Sequence, residues 1–256
     1  MQETLASVLR RIAPRLLRIV KAVSRIEKSA LLALACVAGA LFVFAELSDA
    51  VSEGETRQFD EYVLRLLRTD GALHDPIGPR WFELMVGDFT ALGGIGVLTA
   101  LTLAVIGFLV LVRKHHLALL LAVSVGGGTL LSSIFKWVFA RPRPDLVPHL
   151  SEVSSMSFPS GHAMLAAVVY LTIGVLLARA YADVRVKLYL LTIAALITIV
   201  VGLSRIYLGV HWPTDVLAGW AVGAAWALFC WLVMLWLQSH GRVEPEGNGA
   251  APPHRQ

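Results

Sequence analysis

The sequence has little charge and almost no cysteine. Only 16% of its 256 residues are Asp, Glu, Lys or Arg, whereas 57% are hydrophobic. Soluble domains carry about 25% charged residues, so the low charge argues against a soluble domain and favours a polytopic membrane protein. The two cysteines, Cys36 and Cys230, lie in apolar runs without C-x-x-C spacing. A disulfide framework and a cysteine-based metal site are therefore not expected.

A concentrated basic surface is also missing. The net charge is only +4, and the basic residues are divided between the N-terminus, short connections and three polar segments. No stretch interleaves aromatic and basic residues as nucleic-acid-binding surfaces do. We therefore predict that this chain interacts with membrane lipids and not with nucleic acid.

Long apolar runs dominate the remainder of the sequence. A bilayer core is crossed by roughly 20 apolar residues in a helix. Six runs meet this length within a few residues, at 29–47, 91–112, 117–135, 163–180, 186–203 and 216–237. The pattern predicts an all-α integral membrane bundle of six transmembrane helices over residues 29–240.

The two ends of the chain differ from this bundle. Residues 1–28 alternate apolar and basic residues, which is typical either of an interfacial helix on anionic lipid or of a positive topology signal lying loosely at the membrane surface. Residues 241–256 are rich in Gly, Pro and polar residues, and we predict that this tail is disordered.

The charges of the connections predict the orientation. The N-terminus, the connection at 113–116 and the connection around Arg179, Arg185 and Lys187 are basic and fall on one side of a six-helix bundle. The positive-inside rule makes that side, and both termini, cytoplasmic. The opposite side carries a long loop, residues 48–90, with nine acidic and four basic residues.

The long outer loop contains one helical pattern, FDEYVLRLL at residues 59–67. Its periodicity predicts a short amphipathic helix. The apolar side would consist of Phe59, Tyr62, Val63, Leu66 and Leu67. This helix could shape a lipid entrance or simply pack over the bundle.

Three polar islands lie at the ends of the apolar runs on the predicted outer side. The first island, residues 136–144 (KWVFARPRP), contains Lys136 and Arg143. Lysine supplies a point charge, and arginine supplies a planar fork that matches two phosphate oxygens. Snorkelling of both side chains at a helix end is the simpler alternative. Arg141 is a weaker candidate for an accessory phosphate contact.

The second island, residues 157–162 (SFPSGH), immediately precedes the fourth predicted helix. Free backbone N–H groups at a helix start favour an anion, and Gly161 lets the main chain approach that anion closely. Ser160 adds a hydroxyl donor or caps the helix. Capping alone does not explain His162 at the membrane edge.

The third island, residues 204–215 (SRIYLGVHWPTD), contains Arg205, His211 and Asp215. A histidine and an aspartate four residues apart can meet across one helical turn, where the carboxylate would fix the tautomer of the imidazole. The alternative for Asp215 is a carboxylate favoured by the helix dipole, and both statements can hold together.

The order and spacing of these islands, K-x6-RP, then PSGH, then SR-x5-H-x3-D, resemble the type 2 phosphatidic acid phosphatase (PAP2) superfamily. The resemblance implies a membrane-bound lipid phosphatase of the bacterial kind. In such an enzyme His211 is the nucleophile, Asp215 orients it, and His162 protonates the leaving group and then activates water. Lys136, Arg143, Ser160, Gly161 and Arg205 would bind the phosphate, and neither a metal nor another cofactor would be needed.

The implied substrate is a lipid phosphate such as undecaprenyl diphosphate, phosphatidylglycerophosphate or phosphatidic acid. Two alternatives stay open. A phosphotransferase would pass the same phosphohistidine to a lipid or sugar acceptor, and a binding or transport protein would hold phospholipid without turnover. The presence of both histidines and Asp215 argues against the last alternative, because binding alone needs only the cations.

Overall fold

The structure, a computed structural model, describes residues 30–151 and 155–239. The predictions for residues 1–28 and 241–256 lie outside these residues. Apolar runs in a membrane must satisfy their backbone hydrogen bonds internally, so they form helices. The helices are α1 (Ala30–Ser52), α2 (Arg57–Leu66), α3 (Arg80–Ala91), α4 (Ile95–Leu111), α5 (His115–Phe139), α6 (Gly161–Arg179), α7 (Val184–Tyr207) and α8 (Pro213–Ser239).

The helices confirm the all-α membrane bundle. Five of them, α1, α5, α6, α7 and α8, are long and apolar enough to cross a membrane. The predicted crossing 91–112 corresponds to α3 and α4, which meet this criterion only as a pair and are bent by 46° between Ala91 and Ile95, as in a broken span or a re-entrant loop. The sequence prediction began this crossing at residue 91 and assigned residues 80–90 to the outer loop, whereas the structure continues them as α3.

Helix α6 is the centre of the bundle and the most buried of the five single-helix crossings. It packs against α5, α7 and α8. Its contact with α8 is close because that helix presents Gly219 and Gly223 to it: a Cβ on Gly223 would lie 2.5 Å from the carbonyl oxygen of Met164. Small residues allow such backbone approach in membrane helices. This glycine pair therefore serves packing within one chain.

The segment between α1 and α3 lies over one end of the bundle. The predicted helix is present as α2, and its predicted apolar side is correct only in part. Val63 and Leu67 pack against the buried core, whereas Phe59, Tyr62 and Leu66 are exposed. On the inner side, Asp60 and Leu64 are fully buried. A charged side chain on the inner face was not expected, because helical periodicity was assessed from apolar residues alone.

A two-stranded antiparallel hairpin follows α2, with β1 (Arg68–Thr69) and β2 (Ala72–Pro76). The sequence analysis did not predict it, although its turn contains Asp70–Gly71, a typical hairpin pair. Gly71 has a φ of +76°, which the turn requires.

The close contact between α6 and α8 leads to a stability prediction. Gly223→Ala should lower the free energy of unfolding by about 1–3 kcal/mol, because its methyl group collides with backbone that cannot move away. Reversible unfolding in mixed detergent micelles measures this. Gly126→Ala on α5 is the matched control, since a Cβ there has no neighbour within 4 Å and the gain in helix propensity is common to both. Equal stability of the two variants would contradict the prediction.

Candidate active site

Three stretches that are distant in sequence meet at one end of the bundle. The N–H of Ser160, at the start of α6, donates to the carbonyl oxygen of Asp215 at the start of α8 (2.9 Å). The N–H of Ser157 donates to the carbonyl oxygen of Arg141 (2.9 Å), and the ammonium of Lys136 donates to the carbonyl oxygen of Met156 (2.6 Å). These bonds join the first island to the second and the second to the third.

The side chains of His211 and Asp215 face each other in the interior. Nδ1 of His211 lies 3.4 Å from Oδ2 of Asp215, and the two residues are 1% and 0% exposed. The same carboxylate oxygen accepts the N–H of Trp212 (2.9 Å) and a short hydrogen bond from the hydroxyl of Ser157. Because several donors hold the carboxylate, its orientation toward His211 is fixed.

The other ring nitrogen of His211 faces a cation. Nη1 of Arg143 lies 3.2 Å from Nε2 of His211. A guanidinium can only donate hydrogen bonds, so Nε2 must be the nitrogen that carries the lone pair, and the proton lies on Nδ1 toward Asp215. Nε2 is thus the available nucleophile of this site.

Burial also keeps this imidazole neutral. It lowers the pKa of His211 to about 4, although hydrogen bonding and charge from Asp215 oppose the shift, and the positive charges of Arg143 and Arg205 lower it further. A histidine with this pKa is unprotonated at neutral pH and keeps its lone pair.

Arg143 is held in place by main-chain oxygens. Its Nη1 donates to the carbonyl oxygen of Val210 (2.6 Å), and its Nε donates to that of Ser155 (2.7 Å). Burial lowers the pKa of Arg143, but an arginine remains charged at neutral pH. The ammonium of Lys136 is 3.2 Å from the hydroxyl of Ser155. The same short loop therefore supports both cations.

Arg205 is a buried cation with an unfilled donor. Its side chain lies at the end of α7, and the residue is 2% exposed. Nη1 donates to the hydroxyl of Thr90 (2.9 Å), whereas Nε has no hydrogen-bond partner. A buried donor that is left unpaired costs free energy, so this position is suited to an anion that accepts the hydrogen bond.

The start of α6 completes the site. The hydroxyl of Ser160 accepts the N–H of Ala163 (3.5 Å), so this serine caps the helix. A Cβ on Gly161 would lie 3.9 Å from the ammonium nitrogen of Lys136, which puts the glycine beside the cations. His162 lies within the electrostatic range of Arg205, His211, Lys136 and Arg143.

The structure therefore brings all eight predicted site residues together. Among the candidates, Arg141 is the one whose contacts differ from its predicted role. Its guanidinium is bound by the carboxylates of Asp60 and Asp215, which is incompatible with the suggested accessory phosphate contact. Sequence reasoning also missed Ser157 and Thr90. Ser157 could have been noticed as the first polar residue of the second island, but no local pattern points to Thr90.

Among residues 30–151 and 155–239, no three His, Cys, Asp or Glu side chains are grouped so that they could hold a metal ion. The positive charge around the site comes from its lysine and arginines.

The fold and this cluster define an integral membrane protein in which lysine and arginine side chains lie beside a buried histidine. The sequence model of the PAP2 superfamily matches residues 117–239, and the chain belongs to this superfamily. It is an enzyme of the phosphatase type that the superfamily comprises.

Individual relatives agree with this assignment. Phosphatidylglycerophosphatase B of Bacillus subtilis is 38% identical over 144 residues, which cover 56% of this chain and 70% of the relative. Undecaprenyl-diphosphatase of Sulfolobus acidocaldarius is 29% identical over 126 residues, covering 47% and 56%. The crystal structure of a transmembrane PAP2 type phosphatidylglycerolphosphate phosphatase from B. subtilis superposes with a TM-score of 0.71 at 28% identity, covering 82% of this chain and 98% of the other.

The burial of His211 yields a pH prediction. Because the folded pKa lies below the ordinary value, the neutral imidazole should persist as pH falls through 6.5 and should become protonated only near pH 4. The ¹⁵N chemical shifts of His211, assigned by their loss in His211→Asn, measure this titration in detergent micelles. A midpoint near 6.5, the ordinary histidine value, would contradict the prediction.

Proposed function

We propose that this phosphatase hydrolyses a lipid monophosphate or diphosphate through a phosphohistidine on His211. The observation that supports the proposal is the position of His211 between Arg143 and Asp215. Its Nε2 carries the lone pair and lies 3.2 Å from Nη1 of Arg143, and arginine is a side chain that commonly binds phosphate. A phosphate oxygen bound by Arg143 would bring phosphorus close to that nitrogen.

In the first step Nε2 of His211 attacks phosphorus in line with the lipid oxygen. The N–P bond forms while the P–O bond to the lipid breaks, and protonated His162 gives its proton to the departing oxygen. The imidazole gains positive charge as it reacts, and the carboxylate of Asp215 stabilises that charge through Nδ1–H.

In the second step water replaces the histidine. His162, now neutral, removes a proton from water, whose oxygen attacks the phosphoryl group as the N–P bond breaks. Inorganic phosphate leaves, and His211 and His162 return to their starting states. Transfer to an alcohol acceptor in place of water would make the same protein a phosphotransferase.

The phosphate oxygens carry negative charge throughout, and the transition state requires its stabilisation. We assign this role to Lys136, Arg143 and Arg205, together with the hydroxyl of Ser160 and the backbone N–H of Gly161. The orphaned Nε of Arg205 supports the assignment, because a buried donor gains its missing partner when phosphate binds. These fixed cations supply the charge that a divalent metal supplies elsewhere, so we propose a metal-independent reaction.

We place the reaction at the periplasmic or extracellular face of the cytoplasmic membrane, with both termini cytoplasmic. Helix α5 supports this orientation: it begins at His115, beside the basic connection 113–116, and ends at Phe139 after Lys136. Its 25 residues span about 37 Å, so the basic connection and the site lie at opposite ends of the bundle. The positive-inside rule assigns the basic end to the cytoplasm.

The relatives indicate several possible lipid substrates and do not single out one. One is named for phosphatidylglycerophosphate and another for undecaprenyl diphosphate. We propose these two lipids and phosphatidic acid as the first substrates to test, since all present a terminal phosphate on a membrane-embedded chain.

The purified protein should release phosphate from at least one of these lipids in detergent, and EDTA should not diminish the rate. His211→Ala should reduce the rate by roughly 10⁴-fold or more, because the nucleophile is lost. A phosphoenzyme that is stable to base and labile to acid should be trapped in the wild type and be absent from the variant.

His74→Ala is the control for this experiment, since it removes an exposed histidine of the outer segment. Full activity of His211→Ala would refute the mechanism. Labelled phosphate that appears on an added lipid or sugar acceptor, with little free phosphate, would identify a phosphotransferase.

A further inference from the structure

A buried chain of charges connects α2 to the site. Arg141 donates through Nη1 to Oδ1 of Asp215 (2.6 Å) and through Nη2 to Oδ2 of Asp60 (2.8 Å). Both carboxylate side chains are 0% exposed, and that of Arg141 is 13% exposed. A guanidinium thus bridges two acids that are 155 residues apart in the sequence.

The remaining donors of Arg141 toward this region are also occupied. Nη1 contacts the hydroxyl of Thr214 (2.9 Å), and Nη2 contacts the hydroxyl of Thr56 (3.2 Å). The indole ring of Trp212 covers the guanidinium at 5.5 Å. With its two terminal nitrogens bound, this arginine cannot turn toward a phosphate without leaving two buried carboxylates unpaired.

Asp60 holds the turn that carries the catalytic carboxylate. Its Oδ1 accepts the N–H of Thr214 (3.0 Å), and its Oδ2 accepts the hydroxyl of the same threonine (2.7 Å). Thr214 directly precedes Asp215 in the first turn of α8. Asp60 therefore acts on Asp215 by two routes, through Arg141 and through the main chain.

The two oxygens of Asp215 have separate tasks. Oδ2 faces His211, Ser157 and Trp212, whereas Oδ1 is bound by Arg141. Without Arg141, Oδ1 would be a buried and unpaired anionic oxygen, and rotation of the carboxylate to find another donor would draw Oδ2 away from Nδ1 of His211.

We propose that Arg141 and Asp60 are positioning residues for catalysis: they fix the carboxylate of Asp215 so that it orients His211 for attack on phosphorus. The proposal rests on the proposed function of His211 and Asp215. It makes α2, which sequence reasoning treated as a cover or a lipid entrance, part of the support of the nucleophile.

Arg141→Gln and Asp60→Asn test the proposal, since both remove the charge and keep a polar side chain. Each should lower kcat by roughly 10- to 100-fold, the usual effect of losing a partner that orients a ligand or nucleophile, and should leave KM within about threefold because neither residue touches the substrate. Glu61→Gln is the matched control: it lies next to Asp60 on α2 and pairs with Arg57 at the surface, and it should behave as the wild type.

A further pair of measurements separates positioning from simple loss of folding. Each variant is compared with the wild type by size-exclusion elution and by thermal unfolding. Added guanidinium should restore activity to Arg141→Ala at least tenfold, and it should not restore Asp60→Asn. If Asp60→Asn has the kcat of Glu61→Gln, or if Arg141→Gln raises KM at unchanged kcat, the positioning role is refuted, and the second result would make Arg141 a phosphate contact.

One measurement does not depend on turnover. The proton on Nδ1 of His211 should give a far-downfield ¹H signal because it is bound to a carboxylate, and this signal should move upfield in Arg141→Gln and Asp60→Asn but not in Glu61→Gln. An unchanged signal in both variants would refute the inference. If the wild type released no phosphate from any lipid, the proposed function would fail, yet the proton signal would still decide whether Arg141 and Asp60 fix the Asp215–His211 pair.

Discussion

The rest of the site depends on a carboxylate that is completely buried. Asp215 is 0% exposed, and an isolated buried anion is too costly to persist unless it is paired and hydrogen-bonded. Here the pairing is extensive: Arg141 binds one oxygen, and Trp212, Ser157 and His211 approach the other. Arg141 belongs to the first island, Ser157 to the second and Asp215 to the third. The hydrogen bonds that stabilise the buried charge of Asp215 therefore also hold the three islands together.

The other charged groups of the site are cations. Nη1 of Arg143 lies 3.2 Å from Nε2 of His211. Arg143 and Arg205 also repel the positive charge of Lys136, as like charges do where solvent is excluded. Main-chain oxygens hold Arg143 and Lys136, and Thr90 holds Arg205, but Nε of Arg205 still lacks a partner. Lys136 and Arg143 are partly buried, Arg205 is fully buried, and the hydrogen-bonding capacity of Arg205 is not filled. A bound phosphate would neutralise part of this charge and accept the unpaired N–H of Arg205, which agrees with the proposed phosphate site.

The sequence predicts the local features of this arrangement but not its long-range contacts. The apolar runs predicted the membrane helices because length and hydropathy suffice for that. The island residues were recognisable because their order and spacing resemble the PAP2 motifs. The roles of Asp60 and Arg141 were not predictable. Asp60 lies in a stretch with ordinary surface charges at Arg57 and Glu61, and nothing local shows that one acid points inward. Arg141 was misread because a basic residue beside Arg143 resembles a second phosphate contact, and only the fold brings two carboxylates to it.

The packing of α6 against α8 also determines the geometry of the site. A Cβ on Gly219 would lie 2.8 Å from the carbonyl oxygen of Ser160, and one on Gly223 would lie 2.5 Å from that of Met164. Because glycine removes this obstacle, the first turns of α6 and α8 touch, and the N–H of Ser160 reaches the carbonyl oxygen of Asp215. The start of α6, which we propose binds phosphate, and Asp215 are thus joined through their backbones. A larger residue at position 219 would separate these two turns at their contact, so the glycine spacing that looks like a packing motif is also a condition for the contact between the second and third islands.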